Sequence, residues 1–253
     1  MEKKFLEGGR IGKIQKIENT VIRPANIWTQ SVHSFLYFID SSGAAFVPKP
    51  YGINECGEEV VSFMPGNVYN ALPKSLLNDS VIVSAAALLR KFHRYSEQYI
   101  SRLTTNEKWM LPVVNPIEVM CHGDFAPYNV TIVDGQAYGI IDFDTLHPGP
   151  KMWDVVYASY RWVLSADFMG DIEEQIRKTK LFLDSYGVKP VDKDNFVTLL
   201  VRRLKCLMDY MQGEAQRGNS DFQHHIDSGH LQAYAADIKH IEKYNSKILK
   251  GIK

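Results

Sequence analysis

The residues best suited to chemistry lie in the middle of the chain, in Met120-Cys121-His122-Gly123-Asp124-Phe125-Ala126-Pro127-Tyr128-Asn129, followed by Ile140-Ile141-Asp142-Phe143-Asp144. An aspartate, a later asparagine and a second aspartate behind an apolar run supply a base and two oxygen ligands for a hard cation. Between them, Val130-Thr131-Ile132-Val133 and Ala137-Tyr138-Gly139-Ile140-Ile141 flank Asp134-Gly135, a favoured two-residue hairpin turn. If Val133 pairs with Gln136, then Asn129 pairs with Ile140, and Asp142 becomes a diagonal neighbour on the same face as Asn129. Diagonal neighbours have Cα atoms about 7–8 Å apart, within reach of one Mg²⁺. Asp124, one loop upstream, can then take a proton from an attacking hydroxyl while the cation neutralises phosphate. A lone His-Gly-Asp is more often a capped turn; Asn129, the hairpin and Asp142 together point to phosphoryl transfer. Asp142 and Asp144 also read as the polar end of a buried strand. For Asp142 the metal role is favoured, and Asp144 stays open between the two.

Such a site needs a cleft, and the surrounding pattern predicts one. Residues 11–17 alternate as a strand, Glu18-Asn19 turns, and 20–23 continue as a second strand that Pro24 stops. Residues 28–39 place Val32, Phe35, Leu36 and Ile39 at helical spacing, with further strands expected at 44–47 and 59–64 and a break at Pro65-Gly66. Helices then dominate, at 81–102, 155–168, 172–186, 195–216 and 231–249, interrupted by the hairpin. The expected fold class is α+β and two-lobed. Residues 1–65 form a small antiparallel-sheet N-lobe, and 66–253 form a larger helical C-lobe that carries the catalytic loop, the hairpin and the acceptor site.

The pattern H-G-D-x-x-x-x-N, then apolar-apolar-D, then G and a later D is met by His122 to Asn129, Asp142, Gly149 and Asp154. In this respect the chain resembles the aminoglycoside phosphotransferase and choline kinase family, whose fold is protein-kinase-like. The resemblance implies Asp124 as catalytic base, Asn129 and Asp142 as Mg²⁺ ligands, and His122 and Asp154 as structural residues, with Asp154 bracing the catalytic loop. It further implies ATP or GTP with Mg²⁺ as cofactors, and a small hydroxyl-bearing acceptor, antibiotic or metabolite. A kinase also needs a glycine-containing loop over the phosphates and a cation on the third strand. Gly8, Gly9 and Gly12 precede one strand and read equally as a flexible lead-in. Arg23 ends the next strand, in place of the usual lysine, and reads nearly as well as a solvated strand-end charge. The helix at 28–39 lacks the glutamate that orients the cation in kinases, leaving Gln30 or His33 as substitutes. Backbone groups around Val61 to Phe63 would face an adenine-like base. Val21-Ile22-Arg23-Pro24, Trp28-Thr29, Val32-His33 and Gly229-His230 resemble a bacterial subgroup labelled trifolitoxin-immunity-like.

Composition narrows the partners. Lys+Arg and Asp+Glu both number 29, so no global field gathers nucleic acid or anionic lipid. No stretch reads as a signal peptide or membrane span, and three widely spaced cysteines lack metal or redox spacing, so a cytoplasmic protein with no membrane partner is expected. A polycationic acceptor would favour an acidic pocket, and the helical part offers no acidic cluster beyond Asp171, Glu173 and Glu174. Two other readings compete. One is a kinase-shaped binding or immunity protein without transfer activity. The other is a haloacid-dehalogenase-type phosphatase using Asp142 as nucleophile and Asp144 as acid, which requires further strands downstream.

Overall fold

Short strands joined by tight turns build the first third of the chain, and the computed structural model describes residues 3–5, 14–166, 168 and 170–253. β1 (Lys3–Phe5), β2 (Gln15–Ile17), β3 (Thr20–Pro24), β4 (Pro50–Ile53) and β5 (Glu58–Ser62) form one antiparallel sheet, in the order β1-β2-β3-β5-β4. The turn expected at Glu18-Asn19 joins β2 to β3, with Glu18 in the left-handed region at φ 54°. Gly8, Gly9 and Gly12 lie outside the described residues. Helix α1 (Thr29–Ser41) follows β3 and buries Val32, Phe35, Leu36 and Ile39, the stripe its spacing predicts.

Residues 44–47, expected as a strand, are instead a turn that buries Ala44, Phe46 and Val47. The alternation there serves the core: the Phe46 carbonyl accepts the Ile140 N–H at 2.8 Å. The strand forms later, at β4, and Asn54 closes the hairpin to β5 by accepting the Cys56 and Glu58 N–H groups at 3.0 and 2.9 Å.

The segment leaving the sheet runs beside the central hairpin. Asn67 exchanges two backbone hydrogen bonds with Ile132, at 3.0 and 2.8 Å, and Gly66 at φ 111° lies so close that a Cβ would stand 2.9 Å from the Ile132 carbonyl. Helix α2 (Asp79–Tyr99) starts at Asn78, whose side chain accepts the Val81 N–H. It ends in a 3₁₀ turn over Ile100–Arg102, so the expected 81–102 helix holds in outline. Two small sheets follow, β6 (Val119–Cys121) with β9 (His147–Gly149), and β7 (Val130–Val133) with β8 (Gln136–Ile140).

The remainder is helical. α3 (Lys151–Ser159) continues as a π-helical turn over Tyr160–Leu164, and is followed by α4 (Ile172–Tyr186), α5 (Pro190–Lys193), α6 (Phe196–Gln216), α7 (Ser220–Asp227), α8 (His230–Lys243) and α9 (Asn245–Gly251). α3 begins before Asp154, which therefore sits in its first turn rather than ahead of it. The single helix expected at 231–249 breaks at Tyr244, and α7 was not anticipated. Phe35, Phe92, Phe125, Met120, Trp162, Phe182 and Phe196 are fully buried in one core that joins sheet and helices. Every strand pair among the described residues is antiparallel, and no strand follows β9 among them, so the phosphatase reading lacks the downstream strands it requires.

Candidate active site

The loop after β6 is held from three sides. Asp154 accepts the His122 N–H at 2.7 Å and the Gly123 N–H at 2.9 Å, and His93 Nε2 on α2 lies 3.0 Å from the same carboxylate. Burial works to raise the Asp154 pKa, but the His93 hydrogen bond and the loop amide hold it down at about 2. His122 Nε2 lies 3.0 Å from the Ile141 carbonyl, which makes it the protonated nitrogen and leaves Nδ1 to accept the Asp124 N–H at 3.3 Å. Burial keeps this ring below its ordinary pKa. Arg203 on α6 donates to the Gly123 carbonyl at 2.8 Å. Gly123 has φ 83°, and a Cβ there would collide with the Thr145 carbonyl.

Asp124 is thereby presented with both oxygens engaged. The Tyr128 phenol donates to Oδ1 at 2.7 Å, and the Asn129 amide nitrogen donates to Oδ2 and to the Asp124 carbonyl, each at 3.0 Å. Burial raises its pKa to about 6, against the opposing pull of the Tyr128 hydrogen bond and Arg161. Because the Asn129 nitrogen faces Asp124, its oxygen is the atom left to meet a cation.

The hairpin register differs from expectation. Val133 pairs with Gln136 and Ile132 with Ala137, but a bulge at Tyr138 then sets Thr131 opposite Gly139 and Val130 opposite Ile140. Asn129 consequently faces Ile141, whose N–H it accepts at 2.9 Å, not Ile140. The diagonal relation between Asn129 and Asp142 is lost. Asp142 leaves the strand in the left-handed region, at φ 59°, so its own backbone aims it rather than strand alternation.

What Asp142 meets is Arg23. Arg23 Nη1 donates to Asp142 Oδ1 at 2.8 Å, Nη2 donates to Asp144 Oδ1 at 3.1 Å, and Nε donates to Glu59 Oε2. The Arg23 side chain is only 11% exposed, so it is not a solvated strand-end charge. Burial opposes its charge, but Asp144, Asp142 and Glu59 hold its pKa well above the ordinary value. Burial likewise works to raise Glu59 and Asp142. His33 and Arg23 keep Glu59 low, and Arg23 keeps Asp142 low. The carboxylate beside Arg23 comes from Glu59, directly opposite it in the β3–β5 register, with His33 Nε2 of α1 bracing it at 2.9 Å. Trp28 Nε1 donates to Asp144 Oδ1 at 3.0 Å. Sequence reasoning missed Glu59 and Trp28 as site residues. The available signal was an acid inside the apolar strand Val60-Val61, which turns out to be only 2% exposed.

Val61 lies inside β5, paired with Val21 on one side and Pro50 on the other. The Phe63 N–H donates to the Asn19 carbonyl at 2.8 Å, so that donor is engaged within the sheet, and Lys16 Nζ stands 3.6 Å from the Phe63 ring centre.

The oxygens of Asn129 and Asp142 are hard ligands, and the Asp142 side chain is 39% exposed and kept ionised. Among the described residues no cluster of three or more His, Cys, Asp or Glu forms a metal cage. One or two protein ligands suit Mg²⁺ whose shell is completed by phosphates and water.

Residues 102–179 match the phosphotransferase enzyme family. That segment contains the loop from His122 to Asn129, the hairpin, Asp142 and Asp154. The trifolitoxin immunity protein of Rhizobium leguminosarum bv. trifolii is 25% identical over 211 residues, covering 78% of each chain. A choline/ethanolamine kinase family protein from Mesorhizobium loti superposes with TM-score 0.61 at 14% identity, covering 97% of this chain and 90% of that one. The gentamicin complex of APH(2'')-IIa gives TM-score 0.61 at 12% identity, covering 94% and 90%. A streptomycin–ATP ternary complex of the same enzyme gives 0.53 at 12%, covering 94% and 93%. The fold is therefore the two-lobed protein-kinase-like one. No helix among the described residues is long and apolar enough to cross a membrane.

Proposed function

We propose that the chain is a small-molecule kinase, transferring the γ-phosphoryl group of ATP or GTP to a hydroxyl of a small acceptor. One observation carries this reading: Arg23 from the sheet reaches Asp142 at 2.8 Å, next to a loop in which Asn129 holds the carboxylate of Asp124 at 3.0 Å. In this reading a phosphate-binding cation stands against a metal-ligand aspartate where the sheet meets the helical part, beside the loop that carries the base.

In this reading Asp124 takes the proton of the acceptor hydroxyl, and its raised pKa makes it a better base than a solvated carboxylate. Asn129 orients that carboxylate with its nitrogen. Asn129 and Asp142 would hold Mg²⁺, which when bound supplies neutralisation of phosphate charge. Arg23, fixed by Glu59 and His33, lies where it can meet the phosphates. His122 and Asp154 hold the loop, and Asp144 anchors Arg23 and Trp28 in this state. The domain boundary proposed at 65/66 precedes Gly66, where the chain turns onto the hairpin. The ATP-bearing neighbour supports a nucleotide partner, and the family match supports transfer.

A second reading is favoured by the immunity-protein relative: a protein of the same shape that binds without transfer. Thermal stability measured with Mg²⁺ and ATP or GTP, followed by assay of nucleoside diphosphate with a panel of hydroxyl acceptors, separates the two. A nucleotide-dependent shift with acceptor-dependent diphosphate release supports the kinase. The absence of any nucleotide-dependent shift removes it.

A further inference from the structure

Tyr128 occupies the place on the base that an acceptor hydroxyl must take. Its phenol donates to Asp124 Oδ1 at 2.7 Å, an ordinary distance for a hydroxyl donating to a carboxylate. The second oxygen receives Asn129 Nδ2 at 3.0 Å, and the same nitrogen also binds the Asp124 carbonyl at 3.0 Å. Displacing Asn129 would dismantle the loop and one proposed metal ligand, whereas displacing Tyr128 breaks one hydrogen bond. The phenol is therefore the replaceable donor. Its ring lies 5.3 Å from the Arg161 guanidinium, which is also 5.7 Å from the Tyr160 ring. Tyr160 in turn donates to Asp237 of α8 at 2.6 Å, so the side chain beside Tyr128 belongs to a cluster that spans the π-helical turn and α8.

We infer, resting on the kinase reading, that Tyr128 is a gate: its phenol holds the base until a hydroxyl-bearing acceptor displaces it, and it thereby keeps water from that position. With an acceptor in place, its oxygen bonds to the γ-phosphorus, the bond from that phosphorus to the β,γ-bridging oxygen breaks, the proton passes to Asp124 and the nucleoside diphosphate leaves. With water in place the same bonds form and break, and the product is inorganic phosphate. Tyr128 is a positioning residue that selects between these two nucleophiles.

The test is release of inorganic phosphate from Mg·ATP and Mg·GTP without acceptor, in the full chain and in Tyr128→Phe, Tyr128→Leu, Asp124→Asn and the Tyr128→Phe/Asp124→Asn double variant. Removing one hydrogen bond to a carboxylate should raise acceptor-independent hydrolysis roughly tenfold in both Tyr128 variants. The double variant should lose that gain, because the water then has no base. Hydrolysis unchanged or reduced in Tyr128 variants that still show the wild-type thermal shift with nucleotide overturns the gate and leaves the kinase reading intact. Phosphate found covalently on Tyr128 by intact mass and peptide mapping also overturns it, since the phenol would then be an acceptor. If the wild-type protein shows no shift with either nucleotide, the kinase reading fails and the gate falls with it.

Discussion

At the scale of single residues, two carboxylates of the same loop cluster are shifted in opposite directions. Burial pushes Asp124 up to about 6 because its phenol and amide partners offset that burial only in part, while at Asp154 a histidine and two loop N–H groups overcome burial and hold it at about 2. On the proposed kinase reading, Asp124→Asn should abolish transfer while nucleotide affinity persists, since it would remove the base and spare Asn129 and Asp142; single-turnover assay with parallel binding titration checks this. Asp154→Ala should cost about 3–5 kcal/mol in urea unfolding, because buried His93 and two loop N–H groups lose their acceptor. Asp124, His147 and Asp154 shape the response to acid. An unfolded histidine binds a proton near pH 6.5, whereas His147 does so only at about 4, so between those values the unfolded chain holds more protons and stability falls with acidification. Asp154 contributes stability that is complete above its unfolded value of 3.8 and lost as pH falls toward 2. Asp124 works the other way, since its folded value of about 6 lies above its unfolded 3.8 and acid between them favours the fold. Thermal unfolding from pH 8 to 3 in an Asp124→Asn background should therefore show the first decline below 6.5, and adding His147→Gln should reduce that limb, with His122 supplying the remainder. The loop from His122 to Asn129 was legible as a unit because Asp124 and Asn129 meet across five residues of chain. Glu59 was not, because its pairing with Arg23 depends on a strand register between segments 36 residues apart.

Among the elements, the central hairpin shows where local rules stop. Asp134-Gly135 set the turn and the first two pairs as expected, since turn chemistry acts over a few residues. The bulge at Tyr138 answers to tertiary partners instead: the Ala137 N–H donates to Ser84 on α2 at 2.9 Å, and the Ile140 N–H donates to Phe46 at 2.8 Å. Neither partner is visible from the hairpin's own sequence. α7 was missed for another reason, being polar and short, although Asn219, which accepts the Asp221 and Phe222 N–H groups, is a cap that could have marked its start. Gly123→Ala should destabilise by roughly 3 kcal/mol, since it combines a left-handed backbone with collision against Thr145. Differential scanning calorimetry would measure this, and a neutral result would mean the loop can shift without loss.

On the scale of the whole molecule, one guanidinium ties the sheet to the helical part. Arg23 is bound to Glu59 on its own sheet and to Asp142 and Asp144 beyond the hairpin, with Trp28 reaching Asp144 from the start of α1. Arg23→Lys should weaken both nucleotide affinity and stability, because an ammonium cannot serve three carboxylates in this fork geometry. Calorimetric binding and urea midpoints would each register the loss. Motif spacing made the two-lobed fold readable, yet this bridge was hidden, because it joins residues more than a hundred positions apart. Trp28 gives the bridge an optical consequence. Its indole N–H rests on a carboxylate at the lobe junction, so movement of Asp144 alters the polarity around the ring, and the intrinsic fluorescence of a Trp28-only variant would report lobe motion without an attached dye.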